Sequence, residues 1–199
     1  MSLSSAELAS VPRWPREQTL ALPGRARGDL LGSWGPNLVA RHGSTALVRV
    51  QARLGSPPLP TTLTQREWIP CHAQPLITEA IADELYAGDL NALYPAILED
   101  TRKGLGRMKL LALKAIGIAR AFKIVPAVLR QVHELGEVKL VSGDHRVRIE
   151  LTAHPLFAQP TWRVLQLFAT KVVLDLAGTP GEVRGEPLAD GFACEASWR

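Results

Sequence analysis

The sequence predicts an α+β fold, with helical first two thirds packed on a small antiparallel sheet near the C-terminus. Apolar residues recur at helical spacing through most of the chain, then switch beyond residue 136 to strand-like alternation. The elements also run as many helices followed by strand–strand–helix–strand–strand. That order belongs to α+β domains rather than to alternating parallel-sheet folds.

Residues 1–27 are rich in Ser, Pro and Arg and read as an N-terminal arm that docks through Trp14, Leu20 and Leu22. Residues 28–199 read as one domain. Asp29 is placed to cap a short helix carrying Leu30, Leu31, Trp34, Leu38 and Val39, which Gly32, Gly35 and Pro36 weaken. Ser44 caps a second helix with Ala46, Leu47, Val50 and Leu54 on one face, and Gly55 stops it. Three prolines make 55–62 a loop. Pro75 heads a helix with Leu76, Ile77, Ala80, Ile81 and Leu85 inward, ending at Gly88. Asp89 or Asn91 starts the next, with Leu90, Leu93, Tyr94, Ile97 and Leu98 on one face. Residues 108–122 and 126–135 are expected as two further helices.

The strands follow at 138–141 and 145–151 across a Ser142-Gly143-Asp144 turn. Val147, Ile149 and Leu151 alternate with Arg146, Arg148 and Glu150, which gives the sheet one wet face. Residues 161–176 are apolar almost all round, so this helix is expected at the centre of the core. A hairpin of 182–188 and 192–198 around Asp190-Gly191 closes the chain.

At 199 residues, 46% hydrophobic and 21% charged, the composition is that of a globular protein. Cys71 and Cys194 are too few for a disulfide framework or a cysteine zinc site, and point to a reducing compartment. Residues 1–12 lack a basic start followed by an apolar run, the mark of a signal peptide. The apolar stretch 108–129 is broken by Lys109, Lys114, Arg120, Lys123 and Pro126, which makes it a poor membrane span. A soluble, cytoplasmic protein is expected.

No dinucleotide fingerprint, phosphate loop, zinc-protease helix or nucleophile elbow is present. Lys103-Gly104-Leu105-Gly106-Arg107 has no strand before it and reads as a helix–helix connection. Glu99 and Asp100 read as a charge-balanced helix end. The five histidines lack metal-ligand spacing. Cys71-His72 is the one adjacent soft pair, and supports the alternative of a cysteine-dependent hydrolase or transferase.

Between Arg102 and Arg130 there are eight basic residues and no acidic one. On an ideal helix Lys103, Arg107 and Lys114 fall together, beside a row of Arg102, Lys109 and Arg120. A wet face whose charges meet Glu79, Asp83, Glu84, Glu99 and Asp100 is the plainer account. An acidic protein or an anionic membrane surface is the other. Nucleic acid is not expected, since Phe122 is the only aromatic there.

The chain resembles a bacterial family present as many paralogues in myxobacteria, distantly related to TRAPP-subunit, 4-vinyl-reductase and heme-NO-binding domains. The segments carrying the likeness are Val39-Ala40-Arg41-His42-Gly43, Trp68-Ile69-Pro70, Leu85-Tyr86-Ala87-Gly88-Asp89 with Leu93-Tyr94, Pro126, Leu174-Asp175-Leu176-Ala177-Gly178 and the last strand. The resemblance implies a helix-and-sheet sandwich that binds small molecules or builds complexes. It implies no activity. Cys194 stands without the clustered cysteines of 4-vinyl-reductase domains, and neither Tyr86 nor Tyr94 begins the Tyr-x-Ser-x-Arg element of heme-NO-binding domains. Zinc and haem are both disfavoured, and no cofactor is expected.

The chain thus reads as a non-catalytic sensory or adaptor module with a protein partner, a second copy of itself included. A small apolar ligand would sit between the central helix and the sheet, lined by Trp68, His72, His154, Trp162 and Phe168. Lys103, Arg107 and Lys114 would meet the acidic partner.

Overall fold

The helix α8 (Pro160–Ala177) is the element around which the rest is arranged. Gln159 caps it, its side-chain oxygen accepting from the Trp162 N–H, and Gly178 ends it in the left-handed conformation. The computed structural model describes residues 2–28, 31, 32, 34–55, 59, 61–63, 67–134 and 136–199. Asp29 and Leu30, the expected cap and first apolar residue of the first helix, lie outside these, as does much of the proline-rich loop.

One face of α8 rests on a four-stranded antiparallel sheet of order β3-β4-β6-β5, formed by β3 (Glu137–Gly143), β4 (Arg146–Thr152), β5 (Gly181–Leu188) and β6 (Gly191–Trp198). The expected alternation holds. Val147, Ile149 and Leu151 of β4, with Phe192, Cys194 and Ala196 of β6, are buried beneath α8 against Val164, Leu167 and Leu174. The other face is wet and laced by ion pairs, Lys139 to Glu150, and Arg148 to both Glu150 and Glu186.

The helices α5 (Ala73–Leu85), α6 (Tyr94–Ile116) and α7 (Ile118–Val132) pack around α8. Beyond α5, α3 (Trp34–His42) and α4 (Ser44–Leu54) form a second core with Leu76, Ile77 and Ala80. The N-terminal segment carries α1 (Ser5–Ala9), α2 (Arg16–Leu20) and β1 (Arg25–Arg27). Trp14, Leu20 and Leu22 pack as expected, and Leu8 joins them, buried in the main core. The strand β1 pairs with β2 (Trp68–Pro70), and a lone bridge from Ala26 to His133 ties it to the end of α7.

The break at Gly106 (φ 68°, ψ 168°) falls within the helix–helix connection expected at 103–107, whereas the next break falls at Gly117 (φ 76°, ψ 156°) rather than before Pro126; both are backbone conformations that a side chain resists. Pro126, expected to start a helix, lies buried inside α7. The row expected through Lys103, Arg107 and Lys114 therefore does not form on one straight helix, because Gly106 redirects the chain between the first and the others. Glu99 and Asp100 lie within α6 rather than at a helix end, and both pair with Arg41. No helix among the described residues is long and apolar enough to cross a membrane.

Candidate functional site

Where β4 hands over to α8, the chain makes a 3-10 turn, Pro155–Ala158, and gathers four rings. Phe157 lies against Trp162 with centroids 4.9 Å apart, and against His154 at 5.5 Å. His133, at the end of α7, meets Trp162 edge-on at 5.9 Å and Phe157 at 6.4 Å. Gly136 brings the incoming chain close: a Cβ there would stand 2.5 Å from the Phe157 ring, at a φ of +98°.

The two histidines of this cluster differ in kind. The Nδ1 of His154 accepts from the Leu156 N–H at 3.1 Å, so its proton sits on Nε2, which donates to the Pro23 carbonyl at 3.1 Å. Both nitrogens are used, and burial lowers the pKa further toward a fixed neutral ring. His133 has no such provision. Its Nε2 is shut off from solvent with no hydrogen-bond partner among the described residues. Burial, reinforced by His154 nearby, pushes its pKa down to about 4, so the ring is neutral at physiological pH. The indole N–H of fully buried Trp162 is also unpartnered among the described residues.

His133 lines a cleft of about 270 Å³ whose other walls include Leu129, Arg130, Val138, Leu151 and Phe157. Arg130 is tethered by its Nε to the Pro126 carbonyl, while Glu134 on the rim is held in a paired hydrogen bond by Arg25. The lining mixes apolar side chains with the neutral His133 imidazole, one guanidinium and one carboxylate.

Of the residues singled out from the sequence, His154 and Trp162 belong to this cluster. None of the five, Trp68, His72, His154, Trp162 and Phe168, is among the residues lining the cleft. Trp68 sits half-exposed on β2 opposite Arg27. His72 precedes α5, its pKa lowered by burial and by Arg16. Phe168 packs on Tyr94 further along α8, where the Tyr94 hydroxyl donates to Asp175 at 2.6 Å. The sequence drew no attention to His133, because only the bridge to Ala26 and the approach of Phe157 give it its surroundings. Glu79, read from the sequence as a counter-charge for the basic stretch, is instead half-buried and accepts from Gln159 and Thr161, and burial raises its pKa.

The surroundings of Cys71 do not activate its thiol. Cys71 is buried, its thiol donates to the Pro23 carbonyl at 3.0 Å, and burial pushes its pKa up to about 11, the reverse of thiol activation.

No protein-family model matches the chain, and no curated protein does. Solved structures do. The unliganded Fe(II) H-NOX protein from K. algicida superposes with a TM-score of 0.60 at 8% identity, over 87% of this chain and 96% of that one. An oxygen-binding H-NOX domain related to soluble guanylate cyclases gives 0.58 at 12%, over 87% and 95%. A mutant of the T. Tengcongensis H-NOX gives 0.58 at 10%, over 87% and 97%. The chain has the H-NOX fold.

The H-NOX fold raises the question of haem, and His42, His133 and His154 do not fit it. An axial histidine needs a free nitrogen facing room for the macrocycle. His154 has neither nitrogen free, and His42 is engaged with the Tyr86 hydroxyl at 3.1 Å. His133 has the nitrogen but not the room, since Phe157 and Trp162 close on its ring and a tetrapyrrole is too large for a 270 Å³ cleft.

Proposed function

We propose that the protein is a non-catalytic sensory module in which a small molecule, apolar with one hydrogen-bonding end, occupies the cleft beside His133. Occupancy would then be relayed to a protein partner. The observation that carries this is the meeting of His133, whose buried Nε2 has no hydrogen-bond partner among the described residues, with a cleft that His133, Arg130 and Glu134 help to line. A buried polar nitrogen without a partner costs about 1–3 kcal/mol, and a ligand that supplies the missing hydrogen bond recovers it. Arg130 at the same cleft favours a carboxylate, or another acceptor, at the polar end. The H-NOX fold supports a sensory role by likeness, one of the similar solved structures being an oxygen-binding domain related to soluble guanylate cyclases.

Thermal-shift screening with short aliphatic and aromatic acids and alcohols tests this. A true ligand at about 100 times its Kd stabilises the native state by about 2.7 kcal/mol. His133→Leu keeps the apolar wall and removes Nε2, so it abolishes that stabilisation. Compounds that stabilise both proteins equally, or neither, place the ligand elsewhere.

A further inference from the structure

The second half of α6 is the least covered helix of the fold. From Gly106 to its end no residue is buried, and Met108 is 80% exposed, Leu111 54% and Ile116 41%. At ~100° per residue, Leu111, Ala115, Met108, Ala112 and Ile116 fill one arc of about 140°. All five are exposed, whereas Leu110 and Leu113 on the opposite side are half-buried. Arg107 and Lys114 border the apolar arc on one side and Lys109 on the other. Next to it, α7 adds exposed Ile124 and Val128, with Arg120 and Lys123 beside them. A helix of a water-soluble domain ordinarily turns such a stripe inward.

The charge on this face is not neutralised within the described fold. Asp83 pairs with Arg13 and Arg53, Glu84 with Arg49 and Arg53, and Asp100 with Arg41. Glu79 is taken by Gln159 and Thr161. Glu99 divides itself between Arg41 and Lys103. The carboxylates that the sequence offered to the basic stretch are thus occupied, and of its cations Lys103 receives one of them. Arg107, Lys109, Lys114, Arg120 and Lys123 have no carboxylate partner among the described residues.

We propose that the apolar arc of α6, with its basic borders, docks on an anionic lipid bilayer. The apolar arc would enter the boundary between headgroups and acyl chains, with the bordering lysines and arginines reaching the phosphates. A second copy of the chain fits poorly, because it would set cations against cations. A protein groove fits less well too: protein interface cores gather aromatics and shed lysine, and this face has three lysines and no exposed aromatic.

Co-sedimentation of the full chain with phosphatidylcholine vesicles, alone or mixed with phosphatidylglycerol, tests it. Binding is expected only with the anionic lipid, and is expected to fade as salt rises from about 0.1 M to about 1 M and the screening length falls from ~10 Å to ~3 Å. Lys109→Glu with Lys114→Glu should weaken it about tenfold or more. Met108→Asp with Leu111→Asp should abolish it. All four side chains are exposed, so circular dichroism and melting of these variants should match the parent. Absence of binding by the folded parent, or binding that the variants leave unchanged, would overturn the proposal. So would a dimer in sedimentation velocity that the same variants dissolve, since the face would then belong to a second copy.

Discussion

Lowering the pH from 7 to 4 is expected to remove about 3 kcal/mol of stability through His133 alone. The folded-state pKa of this ring is pushed down to about 4, against 6.5 for a solvated histidine. Above pH 6.5 both folded and unfolded forms carry it neutral, and it contributes nothing to pH dependence. Between pH 6.5 and about 4 the unfolded chain binds a proton that the folded one refuses, so stability falls as pH falls. Over that interval of about 2.5 units, at ~1.36 kcal/mol per unit, the loss is about 3 kcal/mol. His72 and His154 are shifted in the same direction by burial and steepen the curve. Urea denaturation at a series of pH values reads this directly. His133→Leu should flatten the slope by about one proton across that range. An unchanged slope in the variant would mean that His133 is open to water in the native state.

Truncating Trp162 to alanine should cost about 3–5 kcal/mol, the range for a large ring lost from a packed core. Trp162 is fully buried in the first turn of α8, stacked at a tilt on Phe157 and met edge-on by His133. Its removal would leave a void between α8, Phe157 and His133. Trp162→Phe should cost far less, under about 1.5 kcal/mol, because it keeps a ring and discards an indole N–H that has no partner among the described residues. Equilibrium urea unfolding of the two variants separates these outcomes. Equal losses would mean that the indole N–H bonds to something the fold does not show.

What the sequence disclosed followed from periodicity. The alternation of Val147, Ile149 and Leu151, and the near-uniform apolar surface of α8, are local patterns that survive folding, so sheet and central helix were legible. The break between α6 and α7 was not. Pro126 is the stronger helix breaker by propensity, yet the positive φ of Gly117 ends α6, and Pro126 is absorbed into α7. The site was half legible for a related reason. His154 and Trp162 flank one turn of chain and can be paired by eye. His133 reaches them through the packing of α7 on α8 and β3 and the bridge to Ala26, long-range contacts that no local pattern encodes. Phe168 lies six residues beyond Trp162 on the same helix, nearly two turns on, and so meets Tyr94 instead. The basic stretch was visible as composition. Its lack of counter-ions was not, because the neighbouring carboxylates are claimed by Arg13, Arg41, Arg49 and Arg53 from the N-terminal third.

Native mass spectrometry of the protein purified gently from its own host, set beside its denatured mass, addresses the ligand most directly. The occupied cleft beside His133 predicts an added small mass that vanishes on denaturation and is missing from His133→Leu purified in the same way. A native mass equal to the bare chain or its multiples, at every gentleness of purification, would contradict it.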